Sequence, residues 1–331
     1  MDAALYKDFK VSRGLTYHYF YSPATAGYPT LLFVHGFPSS SFDWHRQVEH
    51  FRPKGYGILA ADIIGAGGTS KPDDPDAFRL ILIAADIVDL LDAEGLDKVI
   101  GIGHDWGSVI LSRIANLFDE RFHAYAWMSA VYWPPQPSPI DIDALIEQLK
   151  AQTGDPRYGY WEFFTLDGAH ELCDKNIDSF LQLLYPDPPE LWLEWLTPVG
   201  KTQQWLMENR TPGIPSWLTQ EEYRTLRETL KKGGLESMLS FYIAAVRNLN
   251  VPDDENIPRE TWTICKPALC VLTLRDAACA PSMQMPIIEK YLPHAKVVEL
   301  NVGHWVTFEA TEMLNAELEK WVEGLGLRSS A

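Results

Sequence analysis

The sequence is poor in cysteine, short of positive charge and without any long apolar run. Its 331 residues include four cysteines, at 173, 265, 270 and 279. Four scattered thiols make no disulfide framework of the kind a small secreted domain needs. Cys265 and Cys270 have no second pair or adjacent histidines to complete a zinc site, and they read as buried thiols. Lysine and arginine number 28 against 45 acidic residues, a formal net charge of −17. That balance repels a polyphosphate at long range and argues against a nucleic-acid partner. No stretch of about 18 apolar residues occurs, and the N-terminus, MDAALYKDFKVSRG, lacks the basic-then-apolar order of a secretory signal. A soluble cytoplasmic protein with no membrane span is the expectation. There is no internal repeat and no low-complexity tract.

What is present is a large folding capacity, with 46% hydrophobic residues and 12 tryptophans, enough for one large domain or a core with a sizeable insertion. Short apolar runs alternate with amphipathic stretches: YPTLLFVHG, SSFDWHRQVEHF, YGILAAD, LILIAADIVDLLDAEG, KVIGIG and AYAWMSAV (124–131). This rhythm predicts an α/β fold, a doubly wound, mostly parallel sheet covered on both faces. At 133 the texture changes to WPPQPSP, whose four prolines in seven residues cannot continue a central strand. Residues 133–250 read as a helical cap. Strand-like PALCVLTL (267–274) and KVVELN (296–301) and a closing helix, LNAELEKWVEGLGL, restore the rhythm. The expected core is therefore 1–132 together with 251–331.

Residues 101–108, GIGHDWGS, sit at a strand-to-helix turn. A dinucleotide fingerprint would need its third glycine one residue earlier, and a carboxylate there would repel phosphate. A helix-capping aspartate and a nucleophile elbow, G-x-Nuc-x-G, remain. The elbow requires an acid and then a histidine further along the chain. Asp276 follows the strand PALCVLTL, and His304 follows KVVELN. Both fall at C-terminal strand ends, where open α/β sheets place their ligands. His35 and His104 read as supports beside the site, and the other histidines as surface or packing residues. The loop VHGFP (34–38) nominates the backbone N–H of Phe37, with that of Trp106, as an oxyanion hole. Phe37, Trp106 and Trp305 are the expected substrate-contacting aromatics.

These residues resemble the α/β-hydrolase fold and, within it, the soluble epoxide hydrolases. The matching stretches are HGFP (35–38), DIIGAGGTSKP (62–72), GHDWGS (103–108), RDAACAP (275–281) and GHW (303–305). The resemblance spans nearly the whole chain. It implies that Tyr160, in GYWEFF, and Tyr242, in LSFYIAAVRNLN, are the tyrosines that activate an epoxide oxygen.

Chemistry separates aspartate from serine at such an elbow. Attack by serine on saturated carbon gives an ether, a dead end. Attack by aspartate gives an ester whose carbonyl belongs to the enzyme, so water can cleave it. Asp105 therefore predicts displacement at sp3 carbon, with His304 as general base, Asp276 orienting it, and no metal or other cofactor. The expected partner is a small-molecule hydrophobic epoxide; the oligomeric state stays open, with a homodimer one option. Haloalkane dehalogenase is the rival reading. Many dehalogenases resemble one another in carrying Asn after the first-loop His-Gly, where this chain has Phe37. A non-catalytic ligand receptor on the same fold is a further alternative, although no catalytic position is missing. Ala66, Ala277, Ala278 and Ala280 are smaller than expected and predict a widened site.

Overall fold

The computed structural model describes residues 1–328. Its strands are Tyr6–Lys10 (β1), Thr16–Ser22 (β2), Thr30–Val34 (β3), Gly57–Ala61 (β4), Val99–His104 (β5), Phe122–Met128 (β6), Ala268–Thr273 (β7) and Ala295–Leu300 (β8). They form one sheet in the order β1-β2-β4-β3-β5-β6-β7-β8. β1 pairs with β2, and β2 with β4, antiparallel; every other pairing is parallel. The expected mostly parallel, doubly wound sheet is what forms.

The central strands read as continuous apolar runs because both faces are covered. Leu31, Phe33, Ile58, Ala60, Ile100 and Ile102 pack on one face with residues of helices His45–Phe51 and Thr311–Gly324. Leu32, Val34, Leu59 and Ala61 pack on the other, with helices Leu80–Ala93 and Trp106–Leu117. Hydropathy alternation begins only at Tyr28, so it does not reveal β1 and β2. The charged, half-exposed pattern of β1, YKDFK, suits an edge strand, and β2, TYHYFYS, is a run of aromatic and polar residues in place of aliphatic ones.

Between β6 and β7 the chain forms helices alone, from Ile142–Thr153 through Glu236–Val246 to the short Val251–Asp254. This is the helical cap, joined to the sheet by two linkers, 129–141 and a returning segment, 247–267, that includes the short helix Val251–Asp254. β6 ends at Met128, earlier than the apolar run to Val131, because Ser129 takes a positive φ of 60°. Cys270 is buried in β7, but Cys265 is exposed, contrary to expectation, because it lies in the loop before that strand.

Candidate active site

β5 ends at His104 and the next helix begins at Trp106, so Asp105 makes the turn by itself, with φ 54° and ψ −125°. Such a backbone costs about 1–3 kcal/mol and persists only where its surroundings over-determine it. Here they do. The Asp105 carbonyl accepts from Ser108 N (2.9 Å) and Val109 N (3.3 Å), starting the helix. Gly107 lies so close to β3 that a Cβ on it would stand 2.0 Å from the Val34 carbonyl oxygen. The elbow is thus pressed onto the ends of β3 and β5, whose residues Val34 and Gly103 are paired. The first loop approaches from the other side. A Cβ on Gly36 would lie 2.2 Å from Asp105 Oδ1, and the next amide, Phe37 N–H, donates to that oxygen at 2.7 Å.

The other carboxylate oxygen, Oδ2, lies 3.5 Å from His304 Nε2. His304 Nδ1 is 2.7 Å from Asp276 Oδ2, so the three residues form a continuous chain at the ends of β5, β7 and β8. Asp276 is fixed in turn by the amides of Ala278 and Cys279, both 2.9 Å from its Oδ1. The His304 carbonyl accepts from Ser129 Oγ (2.6 Å) and His104 Nε2 (2.9 Å). The Glu309 carboxylate takes the amides on either side, Gly303 N at 2.7 Å and Trp305 N at 3.0 Å. His35 accepts Ile63 N–H at Nε2 (3.0 Å) and donates from Nδ1 to Gly36 O (2.9 Å), steadying the first loop.

Ser129 and Glu309 carry no motif of their own, and their part in holding His304 could not be read from the sequence. Cys279 is a third such residue. It belongs to the stretch RDAACAP, and its position three residues after the acid was the only available signal. Asp276, Cys279 and His304 bring three potential metal-ligand atoms within 4.8 Å of one another. Both Asp276 oxygens are nevertheless engaged, one by two amides and one by His304.

Electrostatics follow from burial. Desolvation opposes the His304 charge, but Asp276 and the hydrogen bonds to Asp105 and Asp276 outweigh it and hold its pKa well above the usual imidazole value. Burial also tends to raise Asp276, yet His304 and the two amides keep its carboxyl below the ordinary range. His104 is pushed down to about 4 by burial and by the neighbouring His304 charge, so it serves as a neutral donor.

A cavity opens beside Asp105, lined by Trp106, Val109, Tyr158, Tyr160, Trp161 and Cys279 among others. Tyr160 thus faces the cavity beside Asp105. Tyr242 lies one aromatic layer behind, its ring 5.9 Å from Tyr160, 5.4 Å from Trp106 and 5.0 Å from Phe37. Burial raises both phenol pKa values well above the ordinary one, so both stay protonated at neutral pH. Tyr158, not singled out in the sequence, also lines the cavity, and burial raises its pKa too.

Three expectations are corrected. Trp305 is not among the lining residues: its indole N–H donates to Leu184 O at 2.6 Å and its ring stacks on Tyr185 at 3.9 Å, so it braces the cap. The Phe37 ring likewise packs on Phe164 and Tyr242 instead of lining the cavity. Ala66, Ala277, Ala278 and Ala280 are buried and do not themselves line the cavity.

The family model described as the alpha/beta hydrolase fold matches residues 29–311. The chain belongs to the alpha/beta hydrolase fold family. This hydrolase-fold chain is 27% identical over 299 residues to bifunctional epoxide hydrolase 2 of Sus scrofa, a match covering 89% of the chain and 51% of that protein. It therefore spans about half the length of the mammalian relatives it matches. It is 26% identical over 319 residues to epoxide hydrolase A of Mycobacterium tuberculosis, covering 91% of the chain and 92% of that protein. Among solved structures, epoxide hydrolase A from Mycobacterium thermoresistibile superposes with a TM-score of 0.79 at 24% identity, covering 96% of this chain and 98% of that one. At that identity the likeness shows the fold. No helix among the described residues is long and apolar enough to cross a membrane.

Proposed function

We propose that this chain is an epoxide hydrolase with Asp105 as nucleophile, His304 as general base and Asp276 as the group that orients the base. The observation that carries the reading is the division of labour between the two Asp105 oxygens. Oδ1 is held by Phe37 N–H, while Oδ2 is free of backbone donors and 3.5 Å from His304. Oδ2 attacks an epoxide carbon, the carbon–oxygen bond breaks, and the emerging alkoxide takes a proton from the tyrosine pair, with Tyr160 in contact. The resulting ester has Oδ1 as its carbonyl oxygen, already placed to carry negative charge beside Phe37 N–H. The Trp106 amide is the second nominated donor.

Water then attacks the ester carbonyl as His304 takes its proton. The acyl carbon–oxygen bond to the substrate breaks, and the departing alkoxide takes that proton back from His304 to become the second hydroxyl of the diol. The other water proton, left on the carboxyl group, replaces the one the tyrosines gave as the carboxylate returns. The balance is epoxide plus water to vicinal diol. No step calls for a metal or organic cofactor. The substrate is a small hydrophobic epoxide, in keeping with the tryptophan, tyrosine and aliphatic side chains in the cavity wall beside Asp105. A protonated phenol facing the cavity suits an alkoxide leaving group better than a halide, which needs N–H donors.

The test is turnover of styrene oxide by the wild type and by Asp105→Asn, with halide release from a bromoalkane as the comparison. Diol from the wild type, loss of roughly 10⁴-fold or more in the variant, and little halide are expected. Full activity in Asp105→Asn would sink the assignment.

A further inference from the structure

Arg113 lies on the helix that starts at the elbow, two turns after Asp105, and its side chain is almost wholly buried. It meets Asp254 in a two-pronged pair, Nε to Oδ1 at 2.8 Å and Nη2 to Oδ2 at 2.7 Å. Asp254 ends the last helix before the chain re-enters the core, so this pair ties the returning linker to the elbow helix. The outgoing linker is tied to the same two residues. Arg113 Nη1 donates to Trp133 O at 3.0 Å, and Asp254 Oδ2 also accepts Gln136 N–H at 2.7 Å. Farther out, Asn248 joins the linkers directly, accepting Ile140 N–H at 2.7 Å and donating to Ile140 O at 3.0 Å. All six residues line the cavity that holds Asp105 and Tyr160.

Stability alone gives a weak reason for such an arrangement. Desolvating two charges offsets much of their attraction, and apolar replacements of buried pairs are often neutral. What a forked pair with additional backbone bonds does supply is fixed geometry. The cap carries Tyr160 and Tyr242 and is joined along the chain to the core by these linkers, whereas the nucleophile sits at the start of the helix that carries Arg113.

We propose that the Arg113–Asp254 pair, with the Asn248–Ile140 clasp, is a positioning device that fixes both cap linkers to the elbow helix and so sets the reach from Asp105 to the cap tyrosines. It rests on the epoxide reading of the site. The two half-reactions separate its role from a merely structural one. Ester formation needs the cap tyrosines, while ester hydrolysis uses Phe37, His304 and Asp276, all of them core residues.

Two variants test it: the charge-free double variant Arg113→Met/Asp254→Leu, and Asn248→Gly, which removes the clasp while tolerating the native φ of 58° at a half-buried position. Single turnovers of styrene oxide would be followed by rapid quench and intact mass. Ester formation is expected to slow roughly tenfold or more while ester hydrolysis stays within about twofold of wild type. Equal slowing of both steps, or of neither, in a variant with native circular dichroism would overturn the proposal. If the double variant does not fold, Asn248→Gly decides. A wild type that forms no ester would overturn the nucleophile assignment instead.

Discussion

Phe37 N–H donates to Asp105 Oδ1 at 2.7 Å although the two residues are 68 positions apart. In the proposed mechanism a donor already aimed at this oxygen stabilises the ester's later oxyanion without reorganising, and one such donor is typically worth about 3 kcal/mol.

The first prediction concerns His304→Gln. Without the base, ester formation outruns ester hydrolysis. One substrate equivalent should accumulate on Asp105, visible as a mass increase of the intact protein and as a single-turnover burst of styrene oxide consumption. Unmodified protein after prolonged incubation would argue against a covalent intermediate.

The second concerns pH. The Asp105 hydrogen bond is among the causes that raise His304, and alkylation neutralises that carboxylate. The base should therefore have a lower pKa in the ester than in the resting enzyme. Asp105→Asn imitates the loss, and imidazole NMR titration should show His304 falling relative to wild type; an unchanged or higher value would refute this. The sign for stability is fixed too. A folded value above the unfolded one, about 6.5, gives stabilisation that is fully present below that pH and fades as pH climbs through the raised value.

Tyr160→Phe and Tyr242→Phe should each slow ester formation, by about 10²-fold for a positioned proton donor, and leave ester hydrolysis nearly untouched. Tyr160 lines the cavity and Tyr242 stands behind it, so the larger loss belongs to Tyr160. Rapid-quench kinetics would show the reverse order if the cavity wall rearranges around substrate.

Gly107→Ala tests the elbow itself. Its Cβ would fall 2.0 Å from a β3 backbone oxygen, and backbone cannot step aside as a side chain can. A cost of about 2 kcal/mol or more is expected, read as a lowered Tm together with weaker activity. A Tm equal to wild type would show that β3 and the elbow are less tightly pressed than described.

Much of the fold was open to reading because parallel strands buried on both faces announce themselves as apolar runs, as in TLLFV and VIGIGH. The antiparallel strands β1 and β2 were not, since YKDFK and TYHYFYS carry polar and charged residues where an aliphatic run is sought. Asp105, Asp276 and His304 could be nominated because each follows a strand, and strand ends are where an open sheet gathers its chemistry. Ser129, Glu309 and Arg113 could not, because a polar residue that holds a backbone group far away leaves no local pattern.

By itself, then, the sequence determined the residue proposed to react: a carboxylate at the elbow, attacking saturated carbon, gives an ester whatever surrounds it. The tertiary structure decided which of its two oxygens is held by Phe37 and which is open toward His304, that Trp305 braces the cap while Trp106 meets the cavity, and that both cap linkers converge on Arg113. Those are relations between residues tens to hundreds of positions apart, and only packing in three dimensions sets their distances.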